Sequence, residues 1–238
     1  MANNFPSPKT VLVISAHPDD PEFSAGGTIA RWTKEGASIT YIIVTDGSKG
    51  TDDRDMTKEV LVPMREEEQK NAAKELGVKK VIFLGQTDGE TQNNNALREL
   101  IVRQIRTYRP EIIITHDPTA RISANSYPNH TDHRIVGDVV LDAIYPLARD
   151  RLNFTSHEKK GLHPHKVLDV FLTGTNHPNI WVDVSATMDS KIMALRAHVS
   201  QIGEADKMEA RIREFGSMRA EKVSFEYAEI FRRIQLPN

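Results

Sequence analysis

A chain of 238 residues, 39% hydrophobic and 27% charged, has the composition of a folded protein and the length of one large domain, so disorder throughout is excluded and a single domain over residues 1–238 is expected. Its 31 Lys and Arg against 33 Asp and Glu leave a formal charge of −2, which supplies no strong positive field to hold nucleic acid or an anionic membrane. Cysteine is absent, which removes disulfides, thiolate nucleophiles and every Cys-containing zinc site, so a metal must sit on His, Asp or Glu.

The first ten residues lack the basic segment and apolar stretch of a signal peptide. No apolar run approaches the roughly 20 residues that span a bilayer, and a cytoplasmic address follows by default. Short β-branched runs at Thr10–Ala16, Ser38–Thr45, Lys79–Leu84, Glu111–Thr115 and Val167–Leu172 are predicted strands. Helical periodicity lies between the first four, and this alternation reads as βαβ. Continuous apolar runs such as Val11-Leu12-Val13-Ile14 and Ile112-Ile113-Ile114 suit parallel strands covered on both faces. The expected class is α/β, a Rossmann-like, mostly parallel sheet with helices on both faces.

Among the helical segments, Thr57–Leu76 is interrupted by Pro63, so its regular part is expected to begin at or after that residue and to stop at Leu76-Gly77. Leu97, Leu100, Ile101 and Ile105 share one face, as do Ile135, Val136, Val139, Val140, Ala143 and Ile144, both at the spacing of an amphipathic helix. From Ala148 to Lys166 the chain carries three histidines and little periodicity, which predicts an irregular excursion, either lid or loop. Met188–Gln201 and Glu204–Arg219 read as two more helices, and Val223–Ile234 fits strand or helix.

The first predicted strand runs into Ala16-His17-Pro18-Asp19-Asp20. An imidazole and two carboxylates therefore stand at the carboxyl end of a parallel strand, where open α/β sheets bind ligands. Pro18 ends the strand by denying it a further ladder hydrogen bond. One His and one Asp are too few for a catalytic metal, which usually takes three protein ligands. A third donor is available in His130-Thr131-Asp132-His133, which opens a predicted helix after the loop Asp117–His130 and so faces the same edge. Taken singly, Asp19-Asp20 equally suits a solvated turn capping a helix, and His130 with His133 suits surface histidines in a first helical turn. Two histidine-carboxylate clusters on one edge have no packing role together, because charged groups in such a crevice cost energy unless paired or coordinated.

With these residues in place, the chain resembles the PIG-L/LmbE-like zinc-dependent N-deacetylases of N-acetylglucosamine-containing substrates. The resemblance is carried by Ala16–Asp20, by Gly26-Gly27-Thr28 and by His130-x-x-His133. Weaker similarities are Thr45-Asp46-Gly47, Arg65-x-x-Glu68, Asp88-Gly89 and His198-x-Ser200-Gln201. It implies that His17, Asp20 and His133 bind Zn2+, that Asp19 is the general base and that His130 faces the substrate carbonyl. Asp132 would then hold a protonated His130, and Arg65, Asp88 and His198 would contact substrate.

The implied substrate is a small N-acetylated amino sugar or glycoside, and the implied assembly a homo-oligomer, trimer or hexamer. Two alternatives stand beside this: an amidase acting on a larger amino-sugar conjugate, and a non-catalytic Rossmann-like nucleotide-binding module, against which the missing G-x-G-x-x-G fingerprint argues. Glu22 is expected to be solvated; His116 to be a fourth ligand, a support for a ligand or half of a capping pair with Asp117; His157, His163 and His165 to lie on the surface; and Gly26-Gly27 to serve tight packing.

Overall fold

The computed structural model describes residues 7–123 and 127–237. Strands and helices alternate as β1 (Thr10–Ser15), α1 (Asp20–Lys34), β2 (Ser38–Thr45), α2 (Lys58–Glu75), β3 (Lys80–Gln86), α3 (Asn95–Tyr108) and β4 (Ile112–His116). A short antiparallel ribbon, β5 (Ile122–Ser123) with β6 (Tyr127–Pro128), leads into α4 (Thr131–Asp142). Then come β7 (Asp169–Thr173), β8 (Ile180–Asp183), α5 (Met188–Arg196), α6 (Ala205–Ala220) and β9 (Ala228–Gln235).

Seven strands form one sheet in the order β3-β2-β1-β4-β7-β9-β8. Those from β3 to β7 are parallel, and β9 runs antiparallel to both its neighbours. Alternate residues of β1 explain its unbroken apolar run. Val11 and Val13 pack with Trp32, Phe171 and the residues of α1, α2 and α5, whereas Leu12 and Ile14 pack with α3 and α4. The expected mostly parallel α/β sheet with helices on both faces is therefore present. The chain moves outward from β1 through β2 to β3 and then returns to β4 on the other side of β1. This reversal opens a crevice at the carboxyl ends of β1 and β4, where His17–Asp20 and His116 emerge.

Three expectations are corrected. Helix α2 begins at Lys58 and contains Pro63. The hydrogen bond that Pro63 cannot donate would go to the carbonyl of Glu59, an exposed first-turn residue that water can satisfy. Helix α5 ends at Arg196, five residues early, and Ala197–Gln201 continue as turns. The excursion after Ala148 is not a lid. Arg106 holds it through the carbonyls of Leu147, Ala148, Asp150 and Asn153, while His165 Nε2 donates to Pro110 O and Arg109 to Pro164 O. Arg109 and Pro110 precede β4, so the segment is tied to the amino edge of the sheet, opposite the crevice. Within it His157 is fully buried on Glu99, at 2.6 Å, and is not a surface residue.

Among the described residues no helix is long and apolar enough to cross a membrane. Gly26 and Gly27 lie inside α1, where a Cβ on Gly27 would meet Val184 Cβ at 2.6 Å. Gly27→Ala is expected to lower stability by about 1–3 kcal/mol through overpacking, despite the roughly 1 kcal/mol helix propensity of Ala over Gly. Thermal unfolding checks the sign; a variant at least as stable as the parent would refute the contact.

Candidate metal centre

Where β1 ends, the backbone turns sharply: Asp19 caps α1 at φ 108°, a left-handed conformation that costs a non-glycine residue roughly 1–3 kcal/mol. Two side chains from α2 hold it there. Gln69 Oε1 accepts from the Asp19 N–H at 2.8 Å, and Arg65 Nη2 donates to Pro18 O at 2.7 Å and to Asp19 Oδ2 at 3.1 Å. Nη1 of Arg65 donates to Gly47 O at 2.9 Å, and a Cβ on Gly47 or Gly50 would strike the guanidinium. Glycine at those positions is what lets Arg65 lie under the turn.

The turn places Asp20 against two imidazoles. His17 Nδ1 lies 3.4 Å from Asp20 Oδ2 and 3.3 Å from His133 Nε2, and His133 Nε2 lies 3.1 Å from Asp20 Oδ1. An ion bonding N and O donors tetrahedrally at about 2.0–2.2 Å would separate them by about 3.3–3.6 Å, so the triangle fits a metal face. The partners of the other ring nitrogens select the same atoms. His17 Nε2 faces Asp88 Oδ1 at 3.1 Å and Asp132 Oδ2 at 3.3 Å; His133 Nδ1 meets Asn129 Oδ1 at 3.2 Å. Those acceptors take the ring protons and leave the His17 Nδ1 and His133 Nε2 lone pairs free for an ion. The other grouping whose donor atoms lie close enough to hold an ion is His17 with Asp88, His130 and Asp132.

The electrostatics have the same sense. Burial alone would lower His17, but Asp132, Asp20 and Asp88 more than offset it and push the imidazole up to about 12. Three carboxylates thus favour positive charge at this imidazole. Burial, and after it the Asp20 carboxylate, push the Asp19 carboxyl up to about 7 against the pull of Arg65. His116 stands behind the triangle, its Nε2 3.4 Å from Asp20 Oδ2. Its Nε2 accepts the Ala16 N–H at 3.0 Å, and burial followed by the His133 charge pulls it down to about 4. Its ring stacks on His133 at 4.2 Å, 6° from parallel.

The profile described as GlcNAc-PI de-N-acetylase (PIG-L) matches residues 12–144, which contain every residue of this triangle. The chain belongs to this family, an enzyme family of N-deacetylases. It is 38% identical over 82% of its length to the diacetylchitobiose deacetylase of Thermococcus kodakarensis, covering 71% of that protein. A protein of Bacillus anthracis named as a probable N-acetyl-α-D-glucosaminyl L-malate deacetylase is 27% identical, with 80% of each chain covered. In structure, the N,N′-diacetylchitobiose deacetylase of Pyrococcus horikoshii superposes with a TM-score of 0.88 at 29% identity, over 96% of this chain and 84% of that one.

Within this PIG-L chain, three residues expected at the substrate are buried: Arg65, Asp88 and His198. Arg65 is 3% exposed with its donors on the Asp19 turn, and Asp88 holds His17 and the Lys49 N–H. His198 is fully buried, its Nε2 3.2 Å from Glu22 Oε2, so no sugar reaches it. Glu22 is fully buried too, correcting the expectation of a solvated residue. It accepts from Gln69 Nε2 at 3.1 Å and thereby orients the side chain that holds Asp19.

Asp132 lies closer to His17 than to His130. Its carboxylate accepts from Gly89 N–H, Thr91 Oγ1 and His17, and lies 3.9 Å from His130 Nδ1. His130 Nδ1 instead accepts the Asp132 N–H at 3.2 Å as the cap of α4, and burial followed by the His17 and His133 charges lowers its pKa. With Nδ1 accepting that N–H, the ring proton sits on Nε2 when the imidazole is neutral. The surface beside the triangle that is open to substrate comes from residues no motif marked: Phe23, Ser24, Tyr127, Thr175 and Arg219, around a cavity of ≈ 230 Å³ that also touches Asp20 and His133.

Proposed function

We propose that this chain is a zinc-dependent hydrolase that removes the N-acetyl group of an N-acetylglucosamine-type small substrate by attack of water, with Asp19 as general base. The observation that carries the proposal is the His17–Asp20–His133 triangle beside the clamped Asp19 carboxylate. Two imidazoles and one carboxylate suit zinc better than hard cations, which prefer all-oxygen sites. When bound there, zinc supplies a Lewis acid that polarises the acetamide carbonyl and acidifies water.

The remaining work belongs to the chain. Asp19 takes the proton of the attacking water, and a carboxyl titrating near neutrality can hand it on to the departing amine. Neutral His130 donates its Nε2–H to the carbonyl oxygen as negative charge develops there. Asp88 and Asp132 keep the His17 ring oriented, and Gln69, held by Glu22, keeps Asp19 in its strained turn. The names of the Thermococcus and Bacillus relatives, both acting on N-acetylglucosamine derivatives, support the substrate class.

The test is a panel of N-acetylglucosamine glycosides. Acetate and free amine are expected in equal amounts, lost on chelation and restored by Zn2+. A zinc-loaded enzyme that releases neither from any member of the panel, or that releases a longer acid from acylated analogues and no acetate, would refute the proposal.

A further inference from the structure

A second cavity adjoins the first. It measures ≈ 550 Å³ and lies beneath α6 against α1, α5 and β9, with Phe23 and Arg219 lining both spaces. Helix α6 buries only Gly216 and Ala220. Its Met208, Ile212 and Phe215 line this space. The volume falls in the range of small-molecule sites.

Its charges do not cancel. Of the two acids at its wall, Glu229 is spent on Lys191 Nζ at 2.6 Å and on the N–H groups of Gly27 and Thr28 at 3.0 and 2.8 Å. Glu204 pairs with Lys207 at 2.7 Å. Arg211 lies against the Phe215 ring. Arg219, which lines both cavities, has no hydrogen bond or ion pair among the described residues; burial lowers its pKa, against the charge of Glu229. A half-buried guanidinium that lines both cavities, and whose neighbouring acid Glu229 is already held by Lys191 and two backbone N–H groups, can receive an anion.

Resting on the deacetylase reading, we infer that the cavity under α6 receives the aglycone of the substrate and that Arg219 binds a carboxylate on it. The acetamido sugar lies at the metal centre, the glycosidic bond passes Phe23, and the apolar wall of α6 covers the aglycone. The enzyme therefore selects acidic glycosides over neutral ones of the same shape.

The probes are the 4-carboxyphenyl and 4-carbamoylphenyl glycosides of N-acetylglucosamine, read by release of free amine. The parent enzyme is expected to favour the carboxylate by roughly tenfold in kcat/KM, the order of one charge-assisted hydrogen-bond pair. Arg219→Gln is expected to bring that ratio close to one, and Arg219→Lys to keep part of it. A merely structural Arg219 would depress both substrates and leave the ratio where it was, which would overturn the inference. So would a parent enzyme with no preference, while leaving deacetylation intact. Absence of amine from both glycosides would instead overturn the deacetylase reading, and this inference with it.

Discussion

Asp19→Ala is expected to keep its metal and to lose turnover by roughly 10²–10⁴-fold, the range of general acid-base contributions. The carboxylate of Asp19 is outside the His17–Asp20–His133 triangle, and the backbone bond from Asp19 to Gln69 does not depend on its side chain, so the donors stay in place. Arg65 loses one acceptor but retains Pro18 O and Gly47 O. Asp19→Gly separates chemistry from strain. It should be as inactive as the alanine variant yet more stable by about 1 kcal/mol, because glycine accepts φ 108° without penalty. Zinc content, kcat and thermal unfolding of the pair give the answer. An alanine variant within tenfold of the parent in kcat, or one that drops its zinc, would remove Asp19 from the role of base.

The parts of this site that were legible in the sequence are the local ones. His17, Asp19 and Asp20 sit within four residues at a strand end, and two apolar runs told which edge that end belongs to. What those runs could not show is on which side of the ligands a polar residue stands. Arg65, Asp88 and His198 are the polar types a sugar site uses, yet each is buried against protein partners: the Asp19 turn, His17 and Glu22. Glu22 looked like an ordinary acidic residue in a first helical turn. Its partners, Gln69 and His198, lie 47 and 176 residues away, and no periodicity reports such a distance.

Strand β8 escaped notice for a different reason. Its four residues alternate between buried and half-buried, too short a pattern to distinguish from a loop, and its place at the sheet edge comes from pairing with β9, itself ambiguous between helix and strand. The cavity under α6 is a volume left between elements, and a volume has no residue pattern at all.

Metal loading is expected to fall in the order parent, Asp132→Asn, His133→Ala. In the proposed site His133 supplies one of three donors, and the pair that would remain is fewer than zinc sites of this kind use, so His133→Ala should retain no stoichiometric zinc and no activity. In the proposed site Asp132 would act on the ion only through His17. Its carboxylate accepts from the ring at 3.3 Å, fixing the tautomer that presents Nδ1, and loss of such a partner typically costs 10–100-fold in metal affinity. Asp88, at 3.1 Å from the same nitrogen, keeps part of that orientation, which is why the asparagine variant should bind weakly rather than not at all. Gly89 N–H and the Thr91 hydroxyl also lose charge at their acceptor, so thermal unfolding of the metal-free variants must accompany the titration to separate lost affinity from lost fold. Zinc titration of folded protein decides the order. An Asp132→Asn protein that binds as tightly as the parent would mean that His17 needs no carboxylate behind it, and an His133→Ala protein that keeps one tightly held zinc would place the ion on the alternative grouping of His17, Asp88, His130 and Asp132.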